Sequence, residues 1–166
     1  MGTPAAFPSG IVVIGVLSLS NQPCIDLENS LDVFGSPTLV SPVLEFGSSY
    51  YTEEMGAGLY RQWIAMKPQL ITDLAELKMA SQSIESRYTY NGSRQFNIDP
   101  GILYPHNFIL LTTKNYTHRI PIRDGIYAEL ELQFTHKQWN ALPWTYPDYV
   151  SHEFITFLTQ LKCHFT

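Results

Sequence analysis

Between residues 114 and 129 the chain gathers Lys114, Tyr116, His118, Arg119, Arg123, Asp124, Tyr127 and Glu129. Only 15% of the chain is charged, so this concentration marks where a site would lie. Planar guanidinium groups at Arg119 and Arg123 suit bidentate contact with a carboxylate or phosphate, and Lys114 adds a point charge. His118 is the residue type that gives and takes protons near neutral pH, and Glu129 and Asp99 are candidate general bases. The candidate catalytic residues are therefore Asp99, His118 and Glu129. The candidate ligand-binding residues are Lys114, Arg119, Arg123 and Tyr127, with Trp144 and Tyr146 as an aromatic wall or lid. Carboxylates and histidine would suit a divalent cation, but no metal-ligand spacing appears, and no metal or cofactor is assigned. Plainer readings stand beside each of these. Arg119 and Glu129 could form a solvated cross-strand pair worth about 0.2–1 kcal/mol. Asp99 could cap its own backbone in a turn, and the aromatic segment could simply pack on the sheet.

A β-hairpin must position these groups. After the turn, Ile126, Ala128, Leu130, Leu132 and Phe134 alternate with Tyr127, Glu129, Glu131 and Gln133. Before it, Ile120 and Ile122 alternate with Arg119 and Pro121. A two-residue Asp124-Gly125 loop would mix apolar and polar residues on both faces. A three-residue loop, Arg123-Asp124-Gly125, instead pairs Ile122 with Ile126 and Ile120 with Ala128, so the sequence favours the odd-length loop. That register sets Arg119 across from Glu129, with Tyr127 beside them and His118 opposite Leu130.

The rest of the chain supplies the frame. At 166 residues and 45% hydrophobic composition it has the material for one core without metal or disulfides. The expected organisation is a flexible arm over residues 1–9 and a single domain over 10–166. A net charge of −5 disfavours a broad nucleic-acid footprint, although a small anion could still meet a local basic cluster. Cys24 and Cys163 form no paired motif, which points to a reducing cytoplasm. The apolar run 11–19 is too short to span a membrane, so no membrane association is expected.

In order, the pattern predicts a doubly buried strand over 11–17 and then a short helix with Pro23 in its first turn and Cys24 on its stripe. A proline-bearing edge strand follows over 37–46, then a capped helical turn over 48–58 and a strand over 59–66. The best helix is predicted over 71–88, capped by Asp73, with Lys78 and Arg87 solvated off its stripe. A short strand over 95–98 enters a β-turn at Asp99-Pro100-Gly101. Another strand over 108–113 leads into the hairpin. An aromatic connector over 142–149 and a helix capped by Ser151 close the chain. This order implies an α+β fold. A mostly antiparallel sheet carries helices on one face, in a ferredoxin-like or split-βαβ arrangement with an added C-terminal hairpin and helix.

Five ordered motifs also carry a resemblance: residues 50–56 (Tyr-Tyr-Thr-Glu-Glu-Met-Gly), 97–101 (Asn-Ile-Asp-Pro-Gly), 112–119 (Thr-Thr-Lys-Asn-Tyr-Thr-His-Arg), 124–129 (Asp-Gly-Ile-Tyr-Ala-Glu) and 142–149 (Leu-Pro-Trp-Thr-Tyr-Pro-Asp-Tyr). Together they resemble an uncharacterised bacterial family catalogued as a domain of unknown function, whose members often carry the label "GTP-binding protein". The resemblance spans nearly the whole chain and implies membership but no activity. A phosphate-cradling Gly-x-x-x-x-Gly-Lys-Ser/Thr loop is absent. Residues 113–116 only distantly echo a guanine-reading element, with Tyr116 where an aspartate belongs, so a Ras-like GTPase is rejected. Two functions follow as expectations. The first is binding of a small anionic, phosphate- or nucleotide-like ligand, with catalysis open. The alternative is a non-catalytic protein-interaction module with an exposed aromatic surface.

Overall fold

The computed structural model of the chain describes residues 2–3, 5–21, 25–47 and 51–165, with the side chains of residues 25 and 26 left out. Pro23, Cys24, Ser48 and Tyr50, which the sequence placed in helical turns, lie outside the described residues. The chain begins with β1 (Ile11–Ser18), α1 (Ile25–Ser30) and a 3-10 turn (Leu31–Phe34). It continues through β2 (Pro37–Val40), β3 (Leu44–Glu45), α2 (Thr52–Met55), β4 (Tyr60–Met66) and α3 (Leu74–Arg87). A small hairpin, β5 (Thr89–Tyr90) and β6 (Ser93–Arg94), precedes β7 (Phe96–Leu103) and β8 (Asn107–Thr112). The last elements are β9 (Ile120–Arg123), β10 (Ile126–Thr135), β11 (Gln138–Ala141), a 3-10 turn (Pro147–Val150), α4 (His152–Leu161) and a closing 3-10 turn (Lys162–Phe165).

Among the described residues nine strands form one sheet, ordered β11-β10-β8-β7-β1-β4-β2, with β3 also on β4 and β9 also on β10. Neighbouring strands run antiparallel. Because β1 and β2 both oppose β4, they are parallel to each other with β4 inserted between them. By the same logic β4 and β7 are parallel with β1 between them. Two interleaved split βαβ units therefore generate β7-β1-β4-β2, the ferredoxin-like order, and β8 to β11 extend it. The α+β, mostly antiparallel architecture expected from the sequence is the one observed.

Alternation in β1 divides the core. Val12, Ile14 and Val16 face Leu27, Leu31, Phe34 and Ile84, under α1 and α3. Ile11 and Val13 face Phe154, Phe157, Leu158 and Leu161 of α4. The sequence expected helices on one face; that holds for α1 and α3, while the added C-terminal helix covers the other. β1 pairs on both sides and its first seven residues are buried, so both faces need a covering layer. Asp73 caps α3 by accepting from Ala75 N and Glu76 N, and Ser151 caps α4 by accepting from Phe154 N. Among the described residues no helix is long and apolar enough to cross a membrane.

Both turn readings need correction. Asp99-Pro100-Gly101 is not a turn but the middle of β7, where Pro100 lies opposite Ile14 of β1. The hairpin loop has two residues, not three. Asp124 (φ 52°) and Gly125 (φ 75°) are both left-handed, which aspartate and glycine tolerate. Arg123 pairs with Ile126, and a bulge then absorbs Ile122, so that Tyr127 meets Pro121 and Ala128 meets Ile120. The register beyond the bulge is the expected one. Ile120 and Ile122 are nonetheless exposed, because β9 is a short edge strand paired on one side only, to β10.

Candidate functional site

Pro100 has no N–H to donate, and the β7–β8 ladder stops beside it. Only Gly101, Ile102 and Leu103 of β7 pair with β8, whereas eight residues of β7 pair with β1. Gly101 holds the last rung tightly, since a Cβ there would lie 2.4 Å from Phe108 Cζ. Beyond that rung the two strands part. The backbone of Ile98, which would otherwise face β8, is satisfied by α3 instead. Its N–H donates to Glu85 Oε1 at 2.6 Å, and its carbonyl accepts from Lys78 Nζ at 3.1 Å. This explains why α3 buries a lysine and a glutamate: they stand in for a missing strand. Lys78, read from the sequence as solvated, is buried for that reason.

The parting strands open a cleft of about 320 Å³. Asn97 and Asp99 of β7 form one lip, and residues 110–114 form the other. Lys78, Gln82 and Glu85 reach in from α3, and Arg61 of β4 closes the floor. Tyr146, Pro147, Asp148 and Tyr149 wall the α4 side, with Phe46, Tyr51 and Arg94 also in the lining. Its volume falls at the small end of the roughly 300–1,000 Å³ typical of small-molecule sites, and its lining is more charged than most.

Arg61 is the central cation. It is only 4% exposed. Its guanidinium lies over Gly15, where a Cβ would come within 2.9 Å of Nη1. Arg61 Nη2 pairs with Asp148 Oδ2 at 2.8 Å, Nη1 stands 3.7 Å from Asp99 Oδ2, and Phe46 stacks on the group at 5.3 Å. Among the described residues neither Nε nor Nη1 makes a hydrogen bond. Burial by itself would lower the Arg61 pKa, but Tyr149, Asp148 and Asp99 outweigh it and hold the group charged. Burial raises Asp148, with Arg61 opposing, and raises the Tyr149 phenol well above its usual range. Asp99 accepts from Asn97 Nδ2 at 2.6 Å, and its Oδ1 lies 3.5 Å from Lys78 Nζ.

Glu129 lines the cleft next to β8 with a fully buried side chain. Its Oε2 accepts from Arg119 Nε at 2.9 Å and lies 2.6 Å from His118 Nε2. Its Oε1 makes no hydrogen bond among the described residues. Arg119 also donates to the Lys114 carbonyl at 2.7 Å and to the Tyr146 hydroxyl at 3.0 Å. His118 stacks on Trp144 at 4.7 Å, and Trp144 Nε1 donates to the Leu130 carbonyl at 2.8 Å. Behind this wall a bulge between Leu130 and Leu132 turns Glu131 inward, where its Oε2 accepts from Tyr146 N at 3.1 Å. Burial, and then the neighbouring Glu129, push the Glu131 carboxyl up to about 8.

Of the residues singled out from sequence, Asp99, Lys114, Glu129 and Tyr146 line the cleft. Arg119 and His118 brace Glu129 from behind, and Trp144 braces His118. His118 does not sit opposite Leu130 as expected; it lies in the turn before β9 and reaches Glu129. Tyr127 and Arg123 stand outside the lining. Arg123 instead pairs with Asp73 at 2.6 Å and with Asp124, tying the hairpin turn to the start of α3. Sequence reasoning passed over Arg61, although it shares parity in β4 with buried Trp63 and Ala65, so a charge on an apolar row was there to be seen. Among the described residues no group of three or more His, Cys, Asp or Glu could hold a metal ion.

The family model described as "Domain of unknown function (DUF4416)" matches residues 9–165, and the chain belongs to that family. No curated protein and no solved structure matches it.

Proposed function

We propose that this member of the DUF4416 family binds a small anionic molecule in the cleft between β7 and β8, with Arg61 as its anchor. The observation that carries the reading is a guanidinium, 4% exposed, that lines a cavity of small-molecule size with two N–H-bearing nitrogens that donate no hydrogen bond among the described residues. A buried donor left without an acceptor costs about 1–3 kcal/mol, more when it is charged, and an incoming carboxylate or phosphate oxygen removes that cost. Lys78 adds a second positive charge from α3. Arg119, the anchor favoured by sequence reasoning, suits the role less well: Nε, Nη1 and Nη2 already donate to Glu129, Lys114 and Tyr146. Its task is to hold the wall.

Inorganic phosphate, small carboxylates and mononucleotides, titrated in a thermal-shift assay against the wild type and Arg61→Met, test this. A ligand bound only by the folded state stabilises it by mass action, by about 2.7 kcal/mol at a hundred times its Kd. At least one anion class should raise the wild-type melting temperature, and Arg61→Met should lose the response. A panel without effect, or an unchanged response in Arg61→Met, refutes the reading.

A further inference from the structure

The anion is not met by cations alone. Glu129 has a fully buried side chain, lines the cleft and leaves Oε1 without a hydrogen bond, while its Oε2 is held by Arg119 and His118. On the opposite lip Asp99 faces the same space; its Oδ2 is engaged by Asn97, and Lys78 stands 3.5 Å from Oδ1. Asp148 and Glu85 also line the cleft, but Arg61 holds the first and Ile98 N and Arg94 the second, so a bare anion entering beside Arg61 would be repelled chiefly by Glu129 and Asp99. An anion with its own O–H or N–H groups would be drawn to the same oxygens, because an ionised carboxylate only accepts hydrogen bonds.

We infer that the ligand class is an anion bearing hydroxyl or amino hydrogens close to its charged group, with Arg61 taking the anionic oxygen and Glu129 and Asp99 accepting from those hydrogens. The inference rests on the anion-binding reading above and narrows it. The two carboxylates become the selectivity filter. Asp99 stands on β7 and Glu129 on β10 behind β8, so the parting of β7 from β8 sets the spacing at which the ligand's donors must lie. Hydrogen bonds to a charged group contribute about 1.5–3 kcal/mol each, so matched ligands with and without the donors should differ by about ten- to a hundredfold in Kd.

Two probe pairs of equal charge and similar length test it: glycerol 1-phosphate against propyl phosphate, and glycerate against propionate, titrated by calorimetry. The hydroxylated member of at least one pair should bind at least tenfold more tightly in the wild type. Asp99→Asn and Glu129→Gln should each shrink that gap, weakening the hydroxylated member and strengthening the bare one. Asp99 is on the accessible lip, so its variant keeps the test intact should Glu129→Gln fail to fold. Equal binding of both members, lost in Arg61→Met, overturns the selectivity and leaves the anchor standing. Binding of neither member, or binding indifferent to Arg61→Met, overturns both.

Discussion

Replacing Glu131 with glutamine should flatten the pH dependence of folding between pH 5 and 8. Glu131 is fully buried, and its carboxyl sits at about 8 against an ordinary value of 4.5, first because burial disfavours the charge and then because Glu129 is near. The unfolded chain releases this proton near 4.5, whereas the folded chain keeps it until about 8. Across that window the unfolded state binds fewer protons, so stability falls as pH rises. The loss begins near the unfolded value and is complete above the folded one. The gap between the two values corresponds to about 5 kcal/mol, of which about 3–4 kcal/mol falls between pH 5 and 8. Glutamine keeps an acceptor for the Tyr146 N–H, removes the titration and changes little in volume. Urea unfolding at both pH values, followed by tryptophan fluorescence, gives the free energies. Subtracting the variant from the wild type cancels the titrating groups that do not interact with Glu131. The difference should fall by about 3–4 kcal/mol from pH 5 to pH 8. Parallel profiles, with a change below about 1 kcal/mol, would refute the account of Glu131 as a neutral buried acid.

Two further outcomes follow from the same geometry. Arg119→Met strands the fully buried Glu129 carboxylate with His118 alone and should cost about 3–5 kcal/mol, part of which Glu129→Gln in the same chain restores. Denaturant midpoints measure both, and a single-variant cost below about 1 kcal/mol would mean that the pair is not buried as described. Gly101→Ala places a methyl 2.4 Å from Phe108 Cζ and 3.0 Å from the Ile109 carbonyl oxygen. Overpacking of this kind should cost about 1–3 kcal/mol, visible as a lower melting temperature; an unchanged one would mean that β7 and β8 are not held this closely.

Local patterning carried much of the fold. The uninterrupted β-branched run of β1 announced a central strand, and Asp73 and Ser151 announced the caps they make. The hairpin illustrates how the pattern can succeed for a partly wrong reason. Burial of one face selected a register that places Arg119 against Glu129, and that pair forms, yet the structure reaches it through a tighter loop and a bulge. A register constraint acts over the whole strand, whereas loop length and bulges can trade against each other without altering it.

From its own residues the chain determined the order of its elements, the α+β class, and the local cluster around Arg119 and Glu129, because hydrophobic period and turn chemistry act between near neighbours. The parting of β7 from β8, the cleft it opens, and the meeting there of Arg61, Lys78, Asp99 and Asp148 were decided only by the folded chain. Asp99-Pro100-Gly101 has the composition of a turn, and it becomes strand because β1 supplies a full ladder on the side where Pro100 needs no donor. Lys78 reads as a surface lysine on α3, and it is buried because the freed backbone of Ile98 takes its charge in place of water. Such partners lie tens of residues apart in the chain, so no local period can announce them.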